Sequence, residues 1–329
     1  MTMKRLPALL RLVAARRVLV VGDAMLDHYF HGDADRISPE APVPVVQVAR
    51  ESDCLGGAAN VANAIAALGA AVEIVGAIGA DANGRALCDR LRENHIAFDE
   101  RLLLPAVRTI TKSRVIVRGQ QLCRLDHEDP PRAYRELLED RSRARLLEDK
   151  IAACDGVILS DYAKGVVSTA VIRTVARLAR KHGRFVALDP KPSSGNEFHG
   201  LDLITPNMKE AAELAGLRGG GEPPDLAAVC RAIWRRHRPH NLVVTLGSDG
   251  MVISREGRAG SKIPTAARQV YDVSGAGDTV IAALTLALTS GADLEEAAHF
   301  ANAAAGVVVG KVGTATVTPE ELLSLQSDG

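Results

Sequence analysis

The chain is poor in aromatic residues: they make up 3% of its 329 positions, as one tryptophan, four tyrosines and five phenylalanines. Stacking platforms for nucleic-acid bases are therefore scarce. Net charge is also lacking, because forty Lys and Arg offset forty Asp and Glu. No global field draws the protein to nucleic acid or to a membrane, so neither is expected as a partner and any charged site must be local. The five cysteines, Cys54, Cys88, Cys123, Cys154 and Cys230, form no C-x-x-C pair, which argues against a disulfide framework and a structural zinc site. Long apolar runs are missing too. Lys4, Arg5, Arg11, Arg16 and Arg17 interrupt the first seventeen residues, and no stretch approaches the roughly twenty apolar residues of a membrane span. A cytoplasmic location is expected.

What is abundant is small and aliphatic, with 47% hydrophobic residues, a composition suited to helix-on-sheet packing. Short apolar runs at 18–21, 72–75, 156–159, 185–188, 201–204 and 242–245 alternate with Ala- and Leu-rich stretches of helical length. This pattern predicts an α/β fold with a mostly parallel central sheet flanked by helices. Most of these runs end in polar or glycine-bearing residues, among them Gly22-Asp23, Ser160-Asp161, Asp189-Pro190 and Thr205-Pro206-Asn207. Ligands of open α/β sheets bind beyond the carboxyl ends of the strands, so one edge is marked as the active edge.

Two excursions break the alternation. Residues 29–48 read as extended and proline-punctuated, and 109–125 alternate β-branched residues with charges around a turn at Gly119. Together they predict a small β-sheet lid, built from segments at about 25–50 and 105–128, on a single domain covering 1–329. Residues 132–151 read as one amphipathic helix burying Leu137, Leu138, Leu146, Leu147 and Ile151. Gly219-Gly220-Gly221 with Pro223-Pro224 reads as a loop. Gly76-Ala77-Ile78-Gly79 superficially suggests a dinucleotide turn, but the next glycine, Gly84, does not fit G-x-G-x-x-G.

The most informative motif is D-V-S-G-A-G-D-T at 272–279, running straight into an apolar helix. Gly275, Ala276 and Gly277 leave backbone N–H groups bare at a helix start, an anion cradle. Asp278 then sits where a carboxylate beside bound phosphate needs another task, and general base for an attacking hydroxyl is that task. A helix-start residue beside a tight turn is the plain alternative. Gly56-Gly57 opens a second glycine-rich helix carrying Asn60, whose amide could hold a sugar hydroxyl; small residues for close packing explain the pattern equally well. In T-P-N-M-K-E at 205–210, Asn207 and Glu210 are spaced to face one point, a hydrated Mg²⁺ or nucleotide phosphate, or else to cap a helix. Asp23, Asp27, Asp161 and Lys164 stand at other strand ends. Arg108, Lys112, Arg114, Arg118 and Arg124 lie along the lid, with Lys112, Arg114 and Arg118 on one face by alternation. They are either a solvated face or a clamp for a phosphorylated substrate.

The blocks at 56–69, 206–210 and 272–278 resemble, in order and spacing, those of the ribokinase family of carbohydrate kinases, over essentially the whole chain. The longer runs GDAMLD at 22–27, RISPEAPVPV at 36–45, LSDYAKG at 159–165 and FANAAAGVVVGK at 300–311 are similar to its heptose 7-phosphate kinase branch. That resemblance implies a ribokinase-like fold and ATP- and Mg²⁺-dependent phosphorylation of the anomeric hydroxyl of D-glycero-β-D-manno-heptose 7-phosphate, on the route to ADP-heptose and lipopolysaccharide. Another sugar phosphate or a nucleoside as substrate, and a non-catalytic sensor, are the alternatives. It further implies Asp278 as base, Gly275, Ala276 and Gly277 as anion hole, and Asp27, Gly56, Gly57, Asn60 and Asp161 around the sugar, with Arg108, Lys112 and Lys164 nearby. Asn207, Met208, Lys209, Glu210, Thr245, Gly247 and Asn302 would line the ATP site, with Glu210 reaching the metal through water. A homodimer through the lid is implied, and a monovalent cation near Asp272 is left open. The motif has Asp-Val-Ser where many relatives have Asp-Thr-Thr. No H-x-G-H nucleotidyltransferase motif occurs, so only the kinase step is expected.

Overall fold

The computed structural model describes residues 5–138, 141–217, 225–267 and 269–325. The short apolar runs form strands because their side chains are covered on both faces, as in Arg17–Gly22 and Gly156–Ser160, the pattern of a parallel sheet sandwiched by helices. Nine strands lie side by side in the order Arg258–Ile263, Met251–Arg255, Asn241–Thr245, Leu203–Ile204, Phe185–Asp189, Gly156–Ser160, Arg17–Gly22, Ala71–Val75 and Ala97–Phe98. Pairing is parallel from Ala97–Phe98 to Asn241–Thr245, and the two remaining strands are antiparallel. Each of the six runs read from the sequence contributes a strand to this sheet, although the run at 201–204 is a strand only at Leu203–Ile204. The hairpin 251–263 was not anticipated; it turns at Glu256-Gly257, where both residues have positive φ.

Helix Ala276–Thr289 has an unbroken buried stretch from Asp278 to Ala287. An apolar side chain at nearly every position makes it a core element rather than a surface one. It packs against the helices Ala58–Ala67 and Leu294–Val308. Its amino end, carrying the glycines, is thereby fixed at the carboxyl edge of the sheet.

The lid expectation corresponds to a separate four-stranded sheet, ordered Pro44–Gly57, Ala24–Ile37, Thr111–Val117 and Gln120–His127. The turn falls at Arg118-Gly119, with φ of 50° and 81°. Residues 132–151 are not one helix. Pro131–Arg135 and Glu136–Leu138 are single turns, and a second helix covers Arg141–Ala152. The Tyr134 hydroxyl pins the first turn, donating to the Arg108 carbonyl (3.0 Å) and accepting from the Asp129 N–H (2.7 Å). Leu137, Leu147 and Ile151 are buried nonetheless, and Leu138 and Leu146 pack partly against them. The loop expected at Gly219-Gly220-Gly221 lies outside the described residues. Asp81 caps helix Ala82–Glu93, accepting from the Gly84 N–H at 2.7 Å, and Gly79 before it ends the two-residue strand Ile78–Gly79 with its N–H bonded to the Thr109 hydroxyl. Among the described residues no helix is long and apolar enough to cross a membrane.

Candidate active site

The glycine-rich helix start takes its shape from two contacts. Gly275 has φ 79°, and a Cβ there would lie 2.8 Å from the Asn60 Nδ2, whereas one on Gly277 would meet nothing within 4 Å. The first glycine is needed for conformation and fit, and the second faces open space. The Ala276 N–H is already turned to the Val273 carbonyl (3.2 Å). Of the three cradle residues expected, Gly275 and Gly277 line the cavity, while the Ala276 amide is engaged.

Asp278 sits in the first turn, 6% exposed. Its Oδ2 accepts from Asn60 Nδ2 and its Oδ1 from the Tyr162 hydroxyl, each at 2.6 Å. Burial pushes its pKa up to about 6 against the pull of these two donors. A carboxylate so poised is suited to take a proton near neutral pH.

Both donors are themselves held. Asn60 enters on helix Ala58–Ala67, whose cap Gly57 has φ 55°; a Cβ there would fall 2.4 Å from the Asp23 carbonyl. Tyr162 belongs to the loop after Gly156–Ser160, and the fully buried Asp23 accepts the N–H groups of Tyr162 (2.9 Å), Lys164 (3.0 Å) and Val166 (3.0 Å) from it. Asp23 is thus a loop organiser rather than a ligand group. Gly56 makes room for Asp27, since a Cβ there would lie 2.8 Å from Asp27 Oδ2. Asp27 pairs with Arg114 at 2.9 Å and stands in register with Lys112 across the small sheet. Lys112 Nζ lies 5.7 Å from the Tyr162 ring centre, and burial lowers its pKa against the attraction of Asp27.

A cavity of about 180 Å³ opens between Asp278, Gly275 and Gly277 on one wall and Asp161 and Tyr162 on another. Asp189, Lys191, Asn207, Glu210 and Thr245 close the third. Asn207 and Glu210 form a reciprocal capping box on helix Met208–Ala215, with bonds of 3.0 and 3.1 Å, and Glu210 also accepts from Lys191 at 2.8 Å. They are helix cap and cavity wall at once. Asp189 is half-buried, and its pKa is raised well above the usual range by desolvation and by the neighbouring Asp278 and Glu210 charges. Asp161 spends its oxygens on the Ala163 N–H (2.8 Å), Ser194 (2.7 Å) and Asn196 (3.0 Å). A larger groove of about 740 Å³ beside Arg177, Phe198 and His237 does not include the glycine-rich helix start or its carboxylate.

Other expected residues stand apart from this cavity. Met208 packs partly into the core, Lys209 is exposed, and Gly247 starts a short turn. Asn302 donates to the Pro264 carbonyl at 2.8 Å. Lys164 is tied to Glu128 at 2.6 Å, and the Arg108 side chain is 69% exposed. Arg118 leaves the strand face expected for it, because it lies in the turn and pairs with Asp33 and Asp35; Arg124 pairs with Asp126. Tyr162 and Lys191 were missed as site residues. Their signal was position alone, one residue after Asp161 and two after Asp189.

Residues 15–321 match the pfkB family of carbohydrate kinases. The chain belongs to that family. Among curated relatives, the Bifunctional protein HldE of Sulfurimonas denitrificans is 40% identical over 309 residues, which are 93% of this chain and 63% of the relative. That of Edwardsiella ictaluri is 45% identical over 306 residues, 93% of this chain and 62% of the relative. The kinase therefore spans less than two thirds of their length. Arabidopsis thaliana ribokinase complexed with ribose and ATP superposes with a TM-score of 0.71 at 22% identity, covering 94% of this chain and 98% of that one. Escherichia coli phosphofructokinase-2 in complex with potassium gives 0.73 at 20% identity, covering 95% and 99%. The fold is ribokinase-like, and the enzyme is a sugar kinase.

Proposed function

We propose that this sugar kinase transfers the γ-phosphoryl group of ATP to the anomeric hydroxyl of D-glycero-β-D-manno-heptose 7-phosphate, giving the 1,7-bisphosphate and ADP. The observation that carries the chemistry is Asp278, buried between two 2.6 Å donors at the mouth of a glycine-rich helix start. Its carboxylate takes the sugar O–H proton as that oxygen bonds to the γ-phosphorus and the bond to the β-phosphate oxygen breaks. The helix start offers amides and a positive dipole end to the charge on the transferring group. The choice of substrate rests on the runs at 22–27, 36–45, 159–165 and 300–311 and on kinship with the HldE proteins. Lys112, close to both Asp27 and Tyr162, is the lid base best placed to meet a substrate phosphate.

Glu210, on the cavity wall with its oxygens bonded to Lys191 and the Asn207 N–H, would reach a hydrated Mg²⁺ carried by the nucleotide through water. When bound, that ion offsets phosphate charge. Asp272 keeps a low pKa despite its burial, through bonds from the Ser274 and Gly313 N–H groups, and so offers a charged oxygen to a monovalent cation. A homodimer would cover Ile37, Val43, Val48, Leu122 and Leu125, all left exposed on the small sheet and its connection. The test is ADP release with a panel of sugar phosphates and nucleosides. Selective turnover of heptose 7-phosphate supports the assignment. Equal turnover of a hexose phosphate or nucleoside replaces the substrate, and saturable binding without ADP makes the protein a sensor.

A further inference from the structure

We propose that Tyr162 is a positioning residue for the general base: its phenol and the Asn60 amide clamp the two oxygens of Asp278, and Asp23 fastens the loop that carries it. This rests on the reading of Asp278 as base. Four observations carry it. The Tyr162 hydroxyl donates to Asp278 Oδ1 at 2.6 Å, and Asn60 donates to Oδ2 at the same distance, so the carboxylate is bonded on both sides. The Tyr162 backbone N–H is bonded to Asp23, which also takes Lys164 and Val166. The ring lies under the Lys112 ammonium at 5.7 Å. Finally, Tyr162 is a wall of the cavity into which Asp278 opens.

A lone carboxylate at the start of a helix can rotate about its side-chain torsions. Two donors from separate elements, Asn60 on a helix and Tyr162 on a loop, remove that freedom and leave one free lone pair on each oxygen for the sugar hydroxyl. The phenol also favours the charged carboxylate over the protonated one, in opposition to burial. The buried Asp23 carboxylate thereby gains a purpose: three backbone donors converge on it, and the loop they fasten delivers Tyr162.

Tyr162→Phe keeps the ring and removes the donor. Because a bond to a charged acceptor is at stake, kcat is expected to fall about tenfold or more, with KM for the sugar phosphate changing less than about threefold. The acid limb of kcat/KM is expected to move up by about one pH unit, since the charged base has lost a donor. Substrate phosphates also ionise near pH 6, but their limbs are the same for both enzymes, so only the base's limb moves. A purely structural role predicts a lower melting temperature with the limb in place, and that result overturns the proposal. So does a rise in KM with kcat unchanged, which would make Tyr162 a substrate contact. Should Tyr162→Phe fail to fold by circular dichroism, 3-fluorotyrosine placed at 162 keeps the bond and makes the donor more acidic. The limb then moves down, and a limb that stays in place overturns the proposal. Asp278→Asn separates the two levels: if it abolishes turnover while Tyr162→Phe changes nothing, only the role of Tyr162 falls.

Discussion

Two buried carboxylates near the carboxyl edge of the sheet, Asp23 and Asp278, share a pKa pushed up to about 6 by burial, yet they are built for different work. Asp23 is fully enclosed and its oxygens take three backbone N–H groups, so nothing is left for a substrate. Asp278 takes two side-chain donors and opens on a cavity. A raised pKa therefore does not by itself separate the two; the proposal of Asp278 as base rests on its partners and its access. The largest expected effect tests this directly. Asp278→Asn should lower kcat by about 10²- to 10⁴-fold, the usual range for a general base. It should also raise the melting temperature at pH 8, because a buried charge is removed. ADP release and thermal melts report the two together, and near-normal turnover would sink the base.

Asp23→Asn should do the reverse. An amide replaces one of the two acceptor oxygens, leaving one or more loop N–H groups facing a donor, at a cost of about 1–3 kcal/mol of stability per orphaned group. Urea unfolding measures it. If Asp23→Asn were as stabilising as Asp278→Asn, the contrast between loop organiser and base would collapse.

The pH dependence sharpens the contrast with opposite signs in one protein. Both carboxylates titrate near 6 when folded against an ordinary value of 3.8. The folded state binds more protons between those values, so their contribution to stability is present at low pH and is lost as pH rises through about 6. Activity goes the other way, because the base must be deprotonated, and kcat/KM should fall as pH drops through about 6. Melting temperature and rate, followed from pH 5 to 8, should therefore diverge. In Asp278→Asn the stability slope should flatten by only one group's share.

The parallel strands were legible because burial on both faces writes itself as continuous apolar runs, and the helix start at 275–277 because its glycines run straight into an apolar stretch. Tyr162 was not legible. Its importance depends on a loop fastened by Asp23, 139 positions away in the chain, a contact that no local periodicity encodes. Asn60 was read as a sugar contact from its place on a glycine-opened helix, and its bond to Asp278, 218 positions away, had no local signal. Arg118 was placed by strict alternation, which a bulge between Val115 and Ile116 and a turn with φ of 50° interrupt. Residues 132–151 carried a correct hydrophobic stripe but no mark of the pinned Tyr134 turn that divides them.

The smallest expected effect concerns two basic residues that sequence alone ranked together, Arg108 and Lys112. Lys112 is partly buried, in register with Asp27 and 5.7 Å from the Tyr162 ring, so desolvation strengthens what it can offer a phosphate. The Arg108 side chain is 69% exposed, with only a 4.0 Å approach to Asp129. Solvent screens such a charge, and an exposed ion pair is worth about 0–1 kcal/mol. Lys112→Ala should raise KM for the sugar phosphate about tenfold or more through loss of a charged contact, and Arg108→Ala should change it less than about threefold. Equal effects would mean that the small sheet closes on the substrate far enough to bring Arg108 inward, and the clamp would then be shared between them.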